Sequence, residues 1–473
     1  MGPSEKSLTH EVSHKGSHDY EESATQPEPS WTPEAERKLL NKIDMRLMPM
    51  LWLMNLLSWM DRANLGNANI AGLTADLSLS STQFSLAIIC YYFGYIAWLP
   101  CAMAIAVRTR PSLYLPAIVL LWGVVTASIS AVKTYPQLLV LRVLIGILEA
   151  GLTPGVSFIL SCWYPPTELG KRTSTFLTSA QVGGAFGGLI AGGVMSNLEG
   201  ARGIRGWRWL FIVEGVVTVF VAMLAVFILP DFPASDRRLS EEEKKIAIGR
   251  LERARVVVDS VEGEKDMTIW EATVYVLKDW RTYALSLGSA LTSATLIMAY
   301  FYPVLVKGLG YTNPITAQYM TIPIWVVAFV FTVAGGYLAD RVPRHRGLFC
   351  AGGLALLGIA AMIVCGVYDF KARYALLAIM AGGVWLAYAQ LLAYVSEIFK
   401  QNRLEIRSMS FGFIGSASQT GYLYGAYLFP AENAPKHLTG FGVVAGTACT
   451  GAIVFMATWW YERRKRRLTG DKF

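Results

Sequence analysis

The chain has 473 residues, of which 53% are hydrophobic and only 16% are charged, and its mean hydropathy is +0.40. This composition excludes an ordinary water-soluble globular protein and predicts a fold whose solvent is largely lipid. The net charge of +8 does not indicate a nucleic-acid partner, because the basic residues lie in short breaks between apolar runs.

The amino-terminal segment, residues 1–45, begins polar and has no apolar run after a basic start. This pattern predicts a disordered cytoplasmic tail rather than a signal peptide. His10, His14 and His18 recur at four-residue spacing, but in a low-complexity segment such spacing is weak evidence for a metal site. We therefore assign them no role and predict neither a metal nor a cofactor.

Twelve apolar segments follow, each long enough to cross about 30 Å of hydrocarbon. In chain order they are called spans 1 to 12, and the hydrophilic segment 231–280 separates the first six from the last six. The spans run approximately over residues 47–71, 83–106, 113–132, 137–163, 173–196, 207–229, 282–306, 315–338, 348–367, 374–398, 409–430 and 440–461. This layout predicts an all-α integral membrane protein with two six-helix halves, residues 46–230 and 281–461.

The loops between the spans alternate in basic content, which predicts that the richer set is cytoplasmic. Both termini, including the basic tail 462–473, and the central segment 231–280 fall in that set. The exception is the loop between spans 5 and 6, which carries three arginines on the other side. Within the central segment, Ser240 and Glu243 form a capping sequence ahead of a charged helix.

Four ionisable residues lie at membrane depth, where a charge is costly unless it is paired or hydrated. Asp61 lies deep in span 1, and the adjacent Arg62 points about 100° away from it, so we expect each to have its own contact. Arg142 and Glu149 are two turns apart on one face of span 4, and both can face a central cavity. The alternative is a purely architectural network of ion pairs that holds spans 1 and 4 together.

Neutral polar residues inside the spans can supply further hydrogen bonds to a bound solute. The candidates are Gln181, Tyr91, Tyr388 and Gln390. The same residue types are also ordinary packing and interface residues of membrane helices. Both interpretations stay open for these four positions.

The segment Gly336–Arg341, which continues to Arg344 and Arg346, resembles the loop motif between helices eight and nine of the major facilitator superfamily. Residues of span 4 resemble the fourth-helix motif of that superfamily, namely Arg142, Gly146 and Ala150. The resemblance implies two halves that rock about a site near the midplane. It also implies that Asp340, Arg341 and Arg344 latch the cytoplasmic side between conformations rather than contact the solute.

Further segments resemble one branch of this superfamily, the fungal anion:cation symporters, which include transporters of allantoate, nicotinate, pantothenate and biotin. These segments are Asp61–Ala68, Arg142–Gly151, Trp163–Pro165 and Gly206–Phe211 with Glu214. The carboxyl-terminal part is similar to the pantothenate and biotin transporters, but Tyr394 and Ser416 depart from the expected Trp and Asn. The paired glycines of span 5 lack the proline typical of drug:proton antiporters, which favours symport.

The resemblance implies a monomeric, proton-coupled importer of a small organic anion, vitamin-like or another carboxylate, in the plasma membrane. In this interpretation Arg62 binds the carboxylate, Asp61 and Glu149 carry protons, and Arg142 belongs to the same charge network. The alternatives are an exporter or intracellular transporter of a specialised carboxylate metabolite, and a nutrient sensor that does not transport. An enzyme is disfavoured, because the chain has no nucleophile elbow, phosphate loop or metal-ligand cluster.

Overall fold

A computed structural model describes residues 31–70, 72–254, 267–309, 319–425, 428 and 437–468, and within these ranges the regular structure is entirely helical. The three histidines of the amino-terminal segment lie outside the described residues. The α-helices are α1 Pro33–Ile70, α2 Leu73–Asp76, α3 Ser81–Arg108, α4 Pro111–Ser128, α5 Tyr135–Glu149, α6 Leu152–Trp163, α7 Pro166–Leu198, α8 Gly206–Ile228, α9 Glu241–Arg253, α10 Ile269–Lys278, α11 Trp280–Leu296, α12 Met298–Gly308, α13 Ile322–Arg341, α14 Arg346–Gly366, α15 Phe370–Ile398, α16 Leu404–Gly425 and α17 Leu438–Leu468.

All of these helices except α2, α9 and α10 build the twelve predicted spans, so the all-α membrane fold is confirmed. Spans 4 and 7 are each built from two consecutive helices, α5 with α6 and α11 with α12. Within the described ranges, eight helical segments are long and apolar enough to cross a membrane, and they correspond to spans 2, 3, 4, 6, 8, 9, 10 and 12. Spans 1, 7 and 11 carry several polar side chains, which lower their mean hydropathy. These side chains are buried, so they face other helices instead of lipid.

The first span differs from the expectation at its start. Helix α1 begins at Pro33, so the predicted disordered tail is wrong from that residue to residue 45. Leu39, Ile43 and Leu47 follow one another at four-residue spacing, and all three are buried against the rest of the bundle. This apolar stripe gives the helix a packed face before it enters the membrane. At the other terminus, α17 continues to Leu468, so part of the predicted basic tail is also helical.

Helix α9 is held against the first half by a chain of ion pairs. Its capping box is present as predicted, with Ser240 and Glu243 bonding each other's backbone N–H groups. Arg250 of α9 contacts Glu36 of α1 and Glu168 of α7, each at 2.6 Å. Arg172 of α7 continues the chain to Glu168 at 2.9 Å and to Asp44 of α1 at 2.8 Å. The end of the bundle that carries these pairs is called the basic end below.

Two carboxylates in this series of ion pairs, Asp44 and Glu36, have lowered pKa values. Burial opposes the ionisation of Asp44, but hydrogen bonds from Arg172 and Tyr164 and the charge of Arg172 outweigh it and lower its pKa. Burial likewise opposes ionisation of Glu36, and contacts with Arg250 and Trp31 lower its pKa. A lowered folded-state pKa stabilises the fold above the ordinary pKa of the acid, and the contribution is lost as pH falls through the lowered value. At neutral pH, Asp44 and Glu36 are therefore charged and can pair with Arg172 and Arg250.

The two halves meet mainly along two pairs of helices, α3 with α16 and α7 with α13. Most other extensive contacts join helices of the same half, such as α4 with α8 and α14 with α15. Small residues allow these close approaches, since lipid supplies no hydrophobic force that drives membrane helices together. At the α14–α15 crossing, a Cβ added to Gly353 would lie 2.5 Å from the carbonyl oxygen of Gly383.

We predict that Gly353→Ala destabilises the bundle by about 1–3 kcal/mol, because α14 and α15 must separate to admit the methyl group. The neighbouring Gly352→Ala is the matched control, since a Cβ at Gly352 meets nothing within 4 Å. It should leave stability unchanged or raise it slightly, because Ala is the better helix former. Thermal unfolding followed by fluorescence-detected gel filtration measures both variants, and equal losses would contradict this packing argument.

Candidate functional site

A buried ion pair joins spans 1 and 4 at the centre of the first half. Nε of Arg62 on α1 lies 2.8 Å from Oε1 of Glu149 at the end of α5, and the two side chains are 7% and 0% exposed. Ser58, one helical turn before Arg62, donates a hydrogen bond to the same carboxylate oxygen. Glu149, and not the adjacent Asp61, is therefore the carboxylate that contacts this arginine.

Aromatic rings surround the guanidinium group of Arg62. Its central carbon lies 5.2 Å from the ring centroid of Trp59, 5.5 Å from that of Tyr91 and 5.6 Å from that of Tyr95. The negative faces of such rings stabilise a cation that is removed from water. Sequence analysis singled out Tyr91 but missed Trp59 and Tyr95. Their spacing is the available signal: Trp59 precedes Arg62 by three residues and Tyr95 follows Tyr91 by four, so each shares a helix face with its neighbour.

Arg142 reaches the same site through Tyr91. Its guanidinium carbon lies 5.6 Å from the centroid of the Tyr91 ring, so this ring contacts two arginines. Nε of Arg142 donates to the backbone carbonyl of Ala87 at 3.4 Å. Arg142 and Glu149, which the sequence places on one face of span 4, are thus both buried at this site.

Asp61 points away from Arg62, toward α4, as the angle between adjacent helical residues requires. Its Oδ2 accepts hydrogen bonds from the indole of Trp122 and, at 2.8 Å, from the hydroxyl of Thr126. Its Oδ1 is buried and accepts no hydrogen bond from any described residue. Both carboxylate oxygens of Glu214 on α8 are in the same situation, and Glu214 interacts electrostatically with Asp61. Acids placed this way are costly in their charged form and are suited to binding protons.

A cavity of about 30 Å³ lies between the halves, next to the arginine site. Tyr95 belongs to both, because it lines the cavity and its hydroxyl is also hydrogen-bonded to Arg62. Tyr388, which the sequence singled out, lines the cavity as well. The complete lining is Tyr95, Thr153, Pro154, Ser289, Tyr388, Leu391, Leu392, Val395, Phe411, Ile414, Gly415, Ser418 and Gln419.

The two predicted glutamines lie at contacts between the halves. Nε2 of Gln181 on α7 donates to the hydroxyl of Thr332 on α13 at 3.0 Å. Gln390 on α15 contacts Arg346 and Ser174, each at 3.3 Å. Neither glutamine lines the cavity described above, and Gln390 belongs to a polar cluster at the basic end.

That cluster fastens the second half to the start of α7. The carboxylate of Asp340 on α13 accepts hydrogen bonds from the backbone N–H groups of Gly170 and Lys171, at 2.8 and 2.7 Å. Arg346 contacts the same carboxylate at 2.6 Å and also donates to the backbone carbonyl of Pro166. A carboxylate near the amino-terminal end of a helix is stabilised by the partial positive charge there.

The arginines of this latch differ from the expectation. Arg341 and Arg344 are exposed, whereas Arg346 is fully buried and contacts Asp340. A second contact between the halves reinforces the first, since Nη2 of Arg407 on α16 donates to the carbonyl of Ser161 at 2.6 Å. Ser408 on α16 donates to the carbonyl of Met103 on α3, also at 2.6 Å. The halves are therefore in contact at the basic end.

Comparison with known proteins agrees with this architecture. The family model described as Major Facilitator Superfamily matches residues 51–426. The chain is 33% identical to the MFS-type transporter cnsO of Penicillium expansum, over 91% of this chain and 84% of that protein. It is 28% identical to the major facilitator-type transporter hxnP of Emericella nidulans, over 92% and 88% of the two chains. Among solved structures, the proton:xylose symporter XylE matches with a TM-score of 0.65 at 14% identity, over 88% of this chain and 96% of that chain.

Proposed function

The chain belongs to the major facilitator superfamily, and from that premise we propose that it is a proton-coupled symporter of a small organic anion. The family and its relatives establish a multi-pass membrane transporter and not an enzyme. The observation that carries the proposal is the buried Arg62–Glu149 ion pair beside a cavity between the halves. The motifs in spans 1, 4 and 6 support placing the chain in the fungal anion:cation symporter branch, and the two relatives named above are fungal transporters.

Competition for Arg62 provides the coupling mechanism. A guanidinium stays charged at any physiological pH and can offer two parallel hydrogen bonds to a planar carboxylate. In the absence of solute, Glu149 occupies this donor. Protonation of Glu149 would weaken the ion pair and release Arg62 for the carboxylate of the solute. Anion binding and proton binding therefore favour each other, and this coupling is reciprocal by thermodynamic necessity.

Asp61 is proposed as the second proton carrier. Arg142 is proposed to belong to the same network of buried charges. Tyr91 lies between the two arginines and Tyr388 lines the cavity, so both are proposed to contact the solute. Gln181 bridges α7 and α13, where a relative movement of the halves would break its bond to Thr332. We therefore propose that Gln181 takes part in the conformational change and not only in solute binding.

We propose that the basic end faces the cytoplasm and that the protein works by alternating access in the plasma membrane as a monomer. The alternation of basic loops supports this orientation. The contacts of Asp340 and Arg346 with α7 would have to break when a path opens toward the cytoplasm. Asp340 and Arg346 thus form the latch, with the exposed Arg341 and Arg344 at its rim.

We predict that Asp340→Asn speeds cytoplasmic opening by about tenfold, since roughly 1.4 kcal/mol of capping and ionic contact is lost. The reporter is Ser174→Cys in a cysteine-free chain, because Ser174 is buried between α7 and α13. An impermeant maleimide should label it faster in inverted vesicles but not in intact cells. Asp369→Asn, which neutralises a helix-capping carboxylate at the other end of the bundle, is the control. Labelling in intact cells would show that the basic end faces outside. An unchanged labelling rate in inverted vesicles would contradict the role of Asp340 as a latch.

We predict that Arg62→Lys weakens binding of a carboxylate solute by at least about tenfold, because an ammonium group cannot form the bidentate contact. Binding of labelled nicotinate, pantothenate and biotin to the purified protein measures the effect. Arg142→Lys is the matched control, since Arg142 also contacts the Tyr91 ring, and it should lose less affinity. A well-folded Arg62→Lys protein with unchanged affinity would place the anion elsewhere.

We predict that Asp61→Asn and Glu149→Gln each abolish accumulation driven by a pH gradient while solute binding and counterflow exchange persist. Each change fixes the site in a neutral form and so removes the linkage between proton and anion. Uptake into proteoliposomes, with and without an imposed pH gradient, separates the two activities. Glu271→Gln on the surface helix α10 is the control. If both neutralised variants still concentrate solute, the purely architectural interpretation of these carboxylates is preferred.

A further inference from the structure

The cavity beside Arg62 has one polar atom that the protein does not satisfy. Gln419 on α16 lines the cavity and is only 6% exposed, and its Oε1 accepts no hydrogen bond from any described residue. We propose that this cavity is a subsite for the end of the solute opposite its carboxylate, where Gln419 accepts a hydrogen bond from a neutral donor. The proposal rests on the proposed function, since it takes Arg62 as the carboxylate site.

The subsite and the arginine site are continuous. The Tyr95 ring contacts the guanidinium of Arg62 and also forms part of the cavity wall. The cavity extends from there between α15 and α16 of the second half. A solute that places its carboxylate on Arg62 can therefore extend its other end toward Gln419 and contact both halves at once.

The serine and threonine hydroxyl groups along the wall already form hydrogen bonds inside the protein. Ser418 and Ser293 bond each other at 2.5 Å, and Ser289 donates to the carbonyl of Ile414 at 3.3 Å. Thr153 donates to the amide oxygen of Asn55 at 3.4 Å. The oxygen of Gln419 is thus an acceptor without a donor, and leaving such a group buried carries a full desolvation cost. A ligand O–H or N–H would remove that cost.

The remaining wall excludes a second charge. Leu391, Leu392, Val395, Phe411 and Ile414 supply most of the surface, and none of the lining residues is Arg, Lys or His. A second carboxylate would be buried there without a counter-ion. A wholly apolar end would fit the walls but leave Gln419 unsatisfied. The chemistry selects a monocarboxylate whose far end carries a neutral hydroxyl or amide N–H.

Three acids with the same six-carbon chain test this selection: hexanoate, 6-hydroxyhexanoate and adipate. Tryptophan fluorescence of the purified full chain in lipid nanodiscs reports binding, because Trp59 lies against Arg62. The wild-type protein should bind 6-hydroxyhexanoate about tenfold more tightly than hexanoate, and adipate most weakly. Gln419→Met keeps the length of the side chain but removes the acceptor. It should bind hexanoate as the wild type does and lose the preference for the hydroxyl.

Thr420→Val is the matched control, since Thr420 is the next residue, is exposed and does not line the cavity. It should keep the wild-type order of the three acids. The proposal is overturned if the wild type binds none of them or shows no hydroxyl preference. It is also overturned if Gln419→Met keeps the preference or weakens all three acids equally. If Arg62→Lys binds all three normally while Gln419→Met removes the preference, the subsite stands and the carboxylate site at Arg62 fails.

Discussion

The cost of burying charge away from water is the constraint on which this structure depends. Two arginines, Arg62 and Arg142, and three carboxylates lie inside the first half, and among these described residues only Arg62 and Glu149 form a direct ion pair. Such a pair is weak evidence for stability, because desolvation offsets most of the Coulomb attraction. In the proposed function, the value of this pair is that it can be exchanged. An incoming carboxylate would replace Glu149 on Arg62 while the displaced acid is neutralised.

The positions of the helices decide which groups can take part in that exchange. Arg62 and Asp61 are adjacent in sequence but face α5 and α4, respectively, so the protein separates the proposed anion-binding cation from the second acid. The contacts at the basic end close one side of the bundle, with Asp340 and Arg407 each bonding backbone groups of the opposite half. Backbone N–H and C=O groups are neutral and do not titrate, so these partners stay available at every physiological pH.

Sequence predicted the parts of this arrangement that depend on one helix at a time. The spans, the depth of the charges, the divergence of Asp61 from Arg62 and the capping box at Ser240 all follow from helical geometry. Contacts between helices cannot be predicted from the geometry of a single helix. The motif contains three arginines, and only packing shows that Arg346 is the buried one. Likewise, Gln390 contacts Arg346 rather than the cavity, because α15 turns that face toward α7.

The unused hydrogen-bonding capacity of the site indicates what the solute must supply. Arg62 requires an anion to replace Glu149, and Gln419 requires a donor, whereas the serine and threonine hydroxyls of the wall require nothing. These two requirements lie on different halves, since Arg62 belongs to α1 and Gln419 to α16. A solute that meets both connects the halves across the cavity. Its binding energy then depends on their relative position, which is the condition under which a ligand can shift a conformational equilibrium.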